Sequence, residues 1–198
     1  MSLSLKRGTI VLTNKDNVYV NNKTRTFYLS DDIDSSSIGF INFALLTLIE
    51  KDNETEKKSK GDFVRKPIKL YINSFGGSIY DMWGLIDIIE NSETPIYTYC
   101  TGYAMSAAFV IFVTGHKRFI SNHATLLYHQ VACWNRDLYQ DIVDYESERD
   151  WLQNTMENFV KTHTNIKQSK LNSIRKNKID WYIHANEAIE LGVADEII

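Results

Sequence analysis

The sequence has little of what marks several large protein classes. It holds only two cysteines, Cys100 and Cys133. Two cannot build a disulfide framework, and they fit free thiols in a reducing cytoplasm. No apolar run approaches a membrane span. The longest, Ala104–Val113, is about half the length a spanning helix needs. The N-terminal MSLSLKRGTIVLTNKDN lacks the apolar region and small-residue cleavage site of a secretory leader. Lys and Arg number 22 against 25 Asp and Glu, a net charge of −3, so the basic surface of a nucleic-acid binder is missing. There is no Cys/His cluster at metal-ligand spacing, no G-x-G-x-x-G dinucleotide loop and no G-x-S-x-G elbow. No metal, cofactor, nucleic acid or membrane is expected. What remains is 198 residues, 43% of them apolar, enough for one domain with its own core.

Proline is equally scarce, and its two positions organise the reading. Pro67 opens the apolar stretch KPIKLYINS, and Pro95 opens TPIYTYCTG. Proline is tolerated at the first position of a strand, where a missing N–H costs no ladder bond. Four pairs lie 28 residues apart: Pro67/Pro95, Ile68/Ile96, Tyr71/Tyr99 and Ser78/Ser106. That is about the length of a strand, turn and helix, so the spacing predicts parallel strands with helical crossovers, an α/β fold. Residues 26–29 and 124–130 read as further strands, and 37–50 as a buried helix. Residues 51–66, KDNETEKKSKGDFVRK, read as a charged insertion forming a solvated loop. From about 135 to 162, Leu138, Ile142, Tyr145, Leu152, Met156 and Phe159 recur at helical spacing, broken once by Arg149. Such a helix either lies on the core or projects onto another subunit. The chain ends in a turn, a helix over about 185–191 closed by Gly192, and a last strand.

Both units that share the 28-residue spacing end a strand on small residues and then start a helix, in NSFGGS (73–78) and GYAMSAA (102–108). Strand ends of this kind are where α/β proteins place ligands. Ser106 reads in two ways there, as a helix N-cap or as a nucleophile beside the free N–H groups of a helix start. A serine nucleophile needs a base. His129, at the tip of the third strand, is one candidate. Lys117 in GHKRF, read as a turn, is another. The Gly77 and Ala107 N–H groups are candidates for a two-donor oxyanion hole.

Four segments, YINSFGGSIYD, GYAMSAAF, LLYHQ and DWYIHANEAIELGVAD, resemble the proteolytic subunit of the Clp protease, a serine peptidase family. The resemblance runs from about Thr26 to the C-terminus. It implies a crotonase-like α/β spiral of repeated β-β-α units, one domain over 1–198 with an N-terminal segment at 1–25. It implies Ser106 as nucleophile, His129 as general base, Asp180 as third triad member, and Gly77 and Ala107 as oxyanion donors. It also implies a homo-oligomer of two stacked heptameric rings, a ring contact made by the handle-like helix 135–162, unfolded polypeptide as substrate, and a separate AAA+ unfoldase as the only consumer of ATP. The sequence departs from the family in places. Phe75 replaces a usual proline, and Ala107–Ala108 a common Met-Gly. VACWNRDLYQ after His129–Gln130 lacks the usual proline and glycines. Lys69 and Asn91 fall where the family's apolar docking groove is lined, so weak unfoldase docking is expected. Two alternatives stand: a crotonase-like acyl-CoA enzyme, and a non-catalytic ring or scaffold subunit. The Asn-, Ile-, Lys- and Tyr-rich composition suggests an AT-rich genome, which fits some phages.

Overall fold

Alternation of apolar and polar residues builds the first strands. The computed structural model describes residues 10–12, 17–59, 61–132 and 139–198. Strands β1 (Ile10–Leu12), β2 (Val18–Asn21) and β3 (Thr26–Leu29) form an antiparallel meander. Val18, Val20, Phe27 and Leu29 point into the core, while Tyr19 and Tyr28 pair on the other face. Helix α1 (Ser35–Lys58) starts on a reciprocal cap. The Asp34 carboxylate accepts from the Ser36 and Ser37 N–H groups, and the Ser37 hydroxyl accepts from the Asp34 N–H. Next come β4 (Ile68–Ser74), α2 (Ile79–Glu90), β5 (Ile96–Met105), α3 (Ala107–Val113), β6 (Lys117–Ile120) and β7 (Thr125–Tyr128). The chain closes with α4 (Tyr139–His163), α5 (Gln168–Asn177), β8 (Trp181–His184), α6 (Ala185–Glu190) and β9 (Glu196–Ile197). Helix α2 buries Met82, Leu85, Ile86 and Ile89, the i, i+3, i+4, i+7 face. Helix α3 is buried at every residue, which is why it shows no polar face in sequence.

The described strands form one mixed sheet. Strands β3, β4, β5 and β6 run parallel. The expected 28-residue spacing is the register of β4 on β5: Ile68 lies opposite Ile96, and Tyr71 opposite Tyr99. The two tyrosine rings stack at 4.6 Å. The register then slips, because Ile72 faces Cys100 while Ser74 faces Ala104. Strand β5 also changes partner along its length. Tyr97–Cys100 pair with β6, and Tyr103–Met105 pair with β7. The far end of β5, which carries Ser106, is thereby held between β4 and β7. Strand β8 pairs antiparallel to β7, with Tyr128 opposite Trp181.

The structure corrects several expectations. Residues 51–58 are not loop but the last two turns of α1. Lys51, Glu54, Lys57 and Lys58 are exposed, but Asp52 and Glu56 are held in defined pairs. Asp52 is buried, with Arg25 at 2.6 and 3.0 Å and the Thr94 hydroxyl at 2.9 Å. Arg65 ties the end of the segment to Glu56 at 2.5 Å, Asn53 at 2.9 Å and Glu93 at 3.0 Å. Lys117 lies not in a turn but on β6, and the expected turn at 181–184 is β8. Both strands are only four residues long; β6 places two cations before two apolar residues, and β8 has aromatic residues on both faces, so neither shows a polar–apolar alternation in sequence. Cys133 and Leu138 lie outside the described residues, as do the side chains of Ile142 and Tyr145. Leu152, Met156 and Val160 are buried, Met156 and Val160 in the same core, and Phe159 packs edge-on to Trp83 at 5.4 Å. That half of α4 therefore lies on its own domain, while Trp151 on another side is 58% exposed.

Burial alone would raise the Asp52 carboxyl. The Arg25 and Thr94 hydrogen bonds and the charges of Arg25 and Arg65 outweigh it and hold the group below its ordinary value. A depressed carboxylate contributes stability above its unfolded value, near pH 4, and that contribution fades as pH falls through the folded value. Asp52→Ala is expected to cost about 2–4 kcal/mol at pH 7, since it leaves Arg25 buried without its partner, whereas Glu54→Ala on the exposed face costs about 0.5 or less. Urea unfolding at pH 7 and below pH 4 checks both points: the Asp52 deficit should shrink in acid.

Candidate active site

Ser106 joins the end of β5 to the start of α3 in a conformation that L-residues rarely adopt, φ +55° and ψ −123°. Such backbone costs on the order of 1–3 kcal/mol and persists only where its surroundings over-determine it. Here the Ser106 N–H donates to the Leu127 carbonyl at 2.9 Å, and its carbonyl accepts from the Phe109 N–H at 3.0 Å. The buried helix α3 anchors the chain on its C-terminal side. The hydroxyl makes no capping bond, so the capping role weighed for Ser106 is not the one it has. Its counterpart 28 residues earlier differs: the Ser78 hydroxyl does cap α2, accepting from the Asp81 N–H at 3.2 Å.

The turn Gly76–Gly77 presses against this junction. Both glycines have positive φ, +106° and +147°. A Cβ on Gly76 would lie 2.7 Å from the Met105 carbonyl oxygen and 2.7 Å from Ser106 Cβ. A Cβ on Gly77 would collide with the Ile33 carbonyl oxygen. Ile33 brackets the turn, donating to the Gly76 carbonyl at 2.8 Å and accepting from the Ser78 N–H at 2.6 Å. Among the described residues, neither the Gly77 nor the Ala107 N–H donates to a protein acceptor. Both lie in one cleft of about 550 Å3 with Ser106 and His129. Its apolar wall comes from Ile79, Met82, Tyr128, Leu152 and Met156.

His129 is half-buried, with Nδ1 2.6 Å from the Gln130 carbonyl oxygen. A carbonyl only accepts, so Nδ1 donates, and in the neutral ring Nε2 is then the nitrogen with the lone pair that a base requires. Among the described residues no hydrogen bond joins His129 to Ser106. Asp180 is exposed and makes no bond to His129. It stands just before β8, as His129 stands just after β7, and Tyr128 faces Trp181. The ladder thus brings both residues to one end without joining them. The structure gathers Gly77, Ser106, Ala107 and His129, and leaves Asp180 outside the cleft lining. Lys117 is elsewhere: its Nζ is 2.8 Å from Glu196 and 4.7 Å from the centre of the Phe119 ring. A serine–lysine pair is therefore not formed.

Two contributions had no local signal in the sequence. The brace by Ile33 is a long-range backbone contact, and Leu152 and Met156 arrive from a distant helix. Cys100 offers no competing nucleophile, because burial pushes its thiol up to about 12. No cluster of three or more His, Cys, Asp or Glu suited to a metal occurs among the described residues. A hydroxyl beside two unengaged N–H groups, an imidazole and an apolar pocket are the parts needed for acyl transfer.

Comparison with known proteins points the same way. The family model described as Clp protease matches residues 15–198. The chain is 26% identical to the ATP-dependent Clp protease proteolytic subunit of Deinococcus radiodurans, over 89% of this chain and 81% of that one. It is 30% identical to proteolytic subunit 2 of Frankia casuarinae, over 89% and 76%. It is also 30% identical to proteolytic subunit 4 of Rhodococcus jostii, over 88% and 84%.

The contact of Gly76 with Ser106 makes a specific prediction. Gly76→Ala should slow labelling of Ser106 by a fluorophosphonate by at least about tenfold, because the new Cβ displaces the hydroxyl or its N–H partners. Gly84→Ala, whose Cβ would meet only Asn42 at 3.6 Å, should leave labelling unchanged. Labelling rates measured by intact mass check both.

Proposed function

The chain belongs to the Clp protease family and is a serine-type peptidase; we propose that it hydrolyses peptide bonds of unfolded polypeptides inside a ring-shaped oligomer, using Ser106, His129 and Asp180. The observation that carries this reading is the strained, uncapped Ser106 beside two unengaged N–H groups. Ser106 Oγ attacks the scissile carbonyl while His129 Nε2 takes its proton. The oxyanion falls between the Gly77 and Ala107 N–H groups, each donor worth about 2.7–4 kcal/mol in the transition state. His129 then protonates the leaving amine, and water repeats the sequence on the acyl-enzyme.

Asp180 requires a rearrangement. For it to act, His129 Nδ1–H must leave the Gln130 carbonyl and turn to the Asp180 carboxylate, which stabilises imidazolium better than a neutral carbonyl does. The present separation is the one observation that favours a non-catalytic ring subunit instead.

The proposed fold is the crotonase-like spiral, and the proposed assembly is a heptameric ring stacked on a second, placed in the cytoplasm and using no cofactor. Exposed apolar residues support association: Phe43 and Leu46 on one face of α1, Trp151 on α4 and Tyr182 on β8. The unfoldase would meet the outer sheet face, where Tyr28, Tyr71, Tyr99 and Phe119 form a row of rings spaced at 6.3, 4.6 and 4.5 Å. Lys69 shares that face, between Thr26 and Tyr97, and is exposed. Asn91 is exposed at the end of α2, its amide already donating to the Asp87 carbonyl at 2.7 Å. An apolar partner loop would desolvate the lysine, so docking to it is weak.

The purified protein tested on an unstructured peptide decides the central points. Ser106→Ala should abolish turnover, and Asp180→Asn should lower kcat by about two to four orders of magnitude. Full turnover in Ser106→Ala contradicts the assignment, and wild-type kcat in Asp180→Asn leaves the Gln130 carbonyl as the orienting group. Sedimentation of the same preparation should show a ring; a monomer at micromolar concentration contradicts the assembly.

A further inference from the structure

We propose that the catalytic cleft continues into a cationic recess that selects substrates carrying a carboxylate near the scissile bond. This rests on the peptidase reading above and extends it to specificity. The recess, about 420 Å3, shares residues 130–132 and Arg149 with the catalytic cleft. Three cations line it, Arg149, Arg175 and Lys178, against one carboxylate, Asp150. Asp150 is engaged by Arg175 at 2.9 Å, and Arg175 also reaches Asn154 at 3.1 Å. Arg149 stands 4.0 Å from the same Asp150 oxygen, beyond hydrogen-bond range. Glu148, beside Arg149 at the cleft, is turned to the Tyr80 hydroxyl at 3.0 Å. Lys178 forms no ion pair among the described residues, although Asp180 stands two positions later.

Two neutral groups of the recess, the Val131 N–H and the Gln153 amide, are already engaged. The Val131 N–H donates to Gln153 Oε1 at 2.7 Å, and Gln153 Nε2 donates to Glu157 at 2.7 Å. A polypeptide leaving the cleft on this side finds no free main-chain donor at residue 131. It meets two surplus positive charges, Arg149 and Lys178. An Asp or Glu side chain, or a terminal carboxylate, is the group they suit.

Matched peptides test this, with Asp or Asn walked through four positions on each side of the cleaved bond, each as free acid and as C-terminal amide. The expected result is a kcat/KM for Asp about fivefold above Asn at positions on one side of the bond, a ratio that falls with added salt. Preference retained in the amides assigns the recess to acidic side chains; preference confined to the free acids assigns it to a terminal carboxylate. In Arg149→Gln with Lys178→Gln the ratio should approach one. In Arg149→Glu with Lys178→Glu, Lys-containing peptides should be preferred. Cleavage with no Asp preference in the wild type, or a preference that survives both double variants, overturns the recess while leaving the peptidase reading intact. No cleavage of any peptide overturns both.

Discussion

The site depends on how one strand ends. Strand β5 trades β6 for β7 along its length and slips in register against β4. Its last residue, Met105, is therefore held beside Leu127 of β7 and against the Gly76–Gly77 turn. Ser106 is then confined from three directions: by the Leu127 carbonyl on β7, by the buried helix α3, and by a glycine turn too close to admit a Cβ. A strained backbone needs this degree of confinement. The same confinement leaves the Gly77 and Ala107 N–H groups without acceptors among the described residues, so the cost of the geometry and its proposed chemical use have one source.

Ser78 and Ser106 show how far local sequence can be trusted. They sit at equivalent places in two units of the same spacing, yet one caps a helix and the other does not. The spacing itself was legible, because parallel neighbours in register repeat their apolar residues; Tyr71 on Tyr99 is the direct outcome. The glycine pair and the serine were legible as strand-end features, and the motif resemblance assigned them roles. Strands β6 and β8 were not legible. Each is four residues long and carries charged or polar side chains among apolar ones, so period two cannot be told from a turn. The helical end of α1 is hidden by its composition, because most of its charges are solvated and only Asp52 and Glu56 are tied to distant partners. Asp52 has Arg25, 27 positions away, and Thr94, 42 positions away, and no local window contains them.

His129 and Asp180 mark where motif and geometry part. The β7–β8 ladder places both at one edge, yet the imidazole is satisfied by its neighbour's carbonyl. On the proposed reading the Gln130 carbonyl fixes the ring tautomer, and Asp180 would have to displace it to act. Beyond the base, the 130–132 segment leads from an apolar cleft to a positively charged recess. On the proposed readings, catalytic and selective groups lie along one path, the second supplied by side chains from α4 and from the end of α5.

The convergence of one hydroxyl and two N–H groups on a single carbonyl is the central claim. A crystal structure of the fluorophosphonate adduct tests it most directly. The account predicts phosphorus bonded to Ser106 Oγ, with the phosphoryl oxygen about 2.7–3.1 Å from both the Gly77 and Ala107 nitrogens. An adduct on another residue, or a phosphoryl oxygen turned away from either nitrogen, would contradict it.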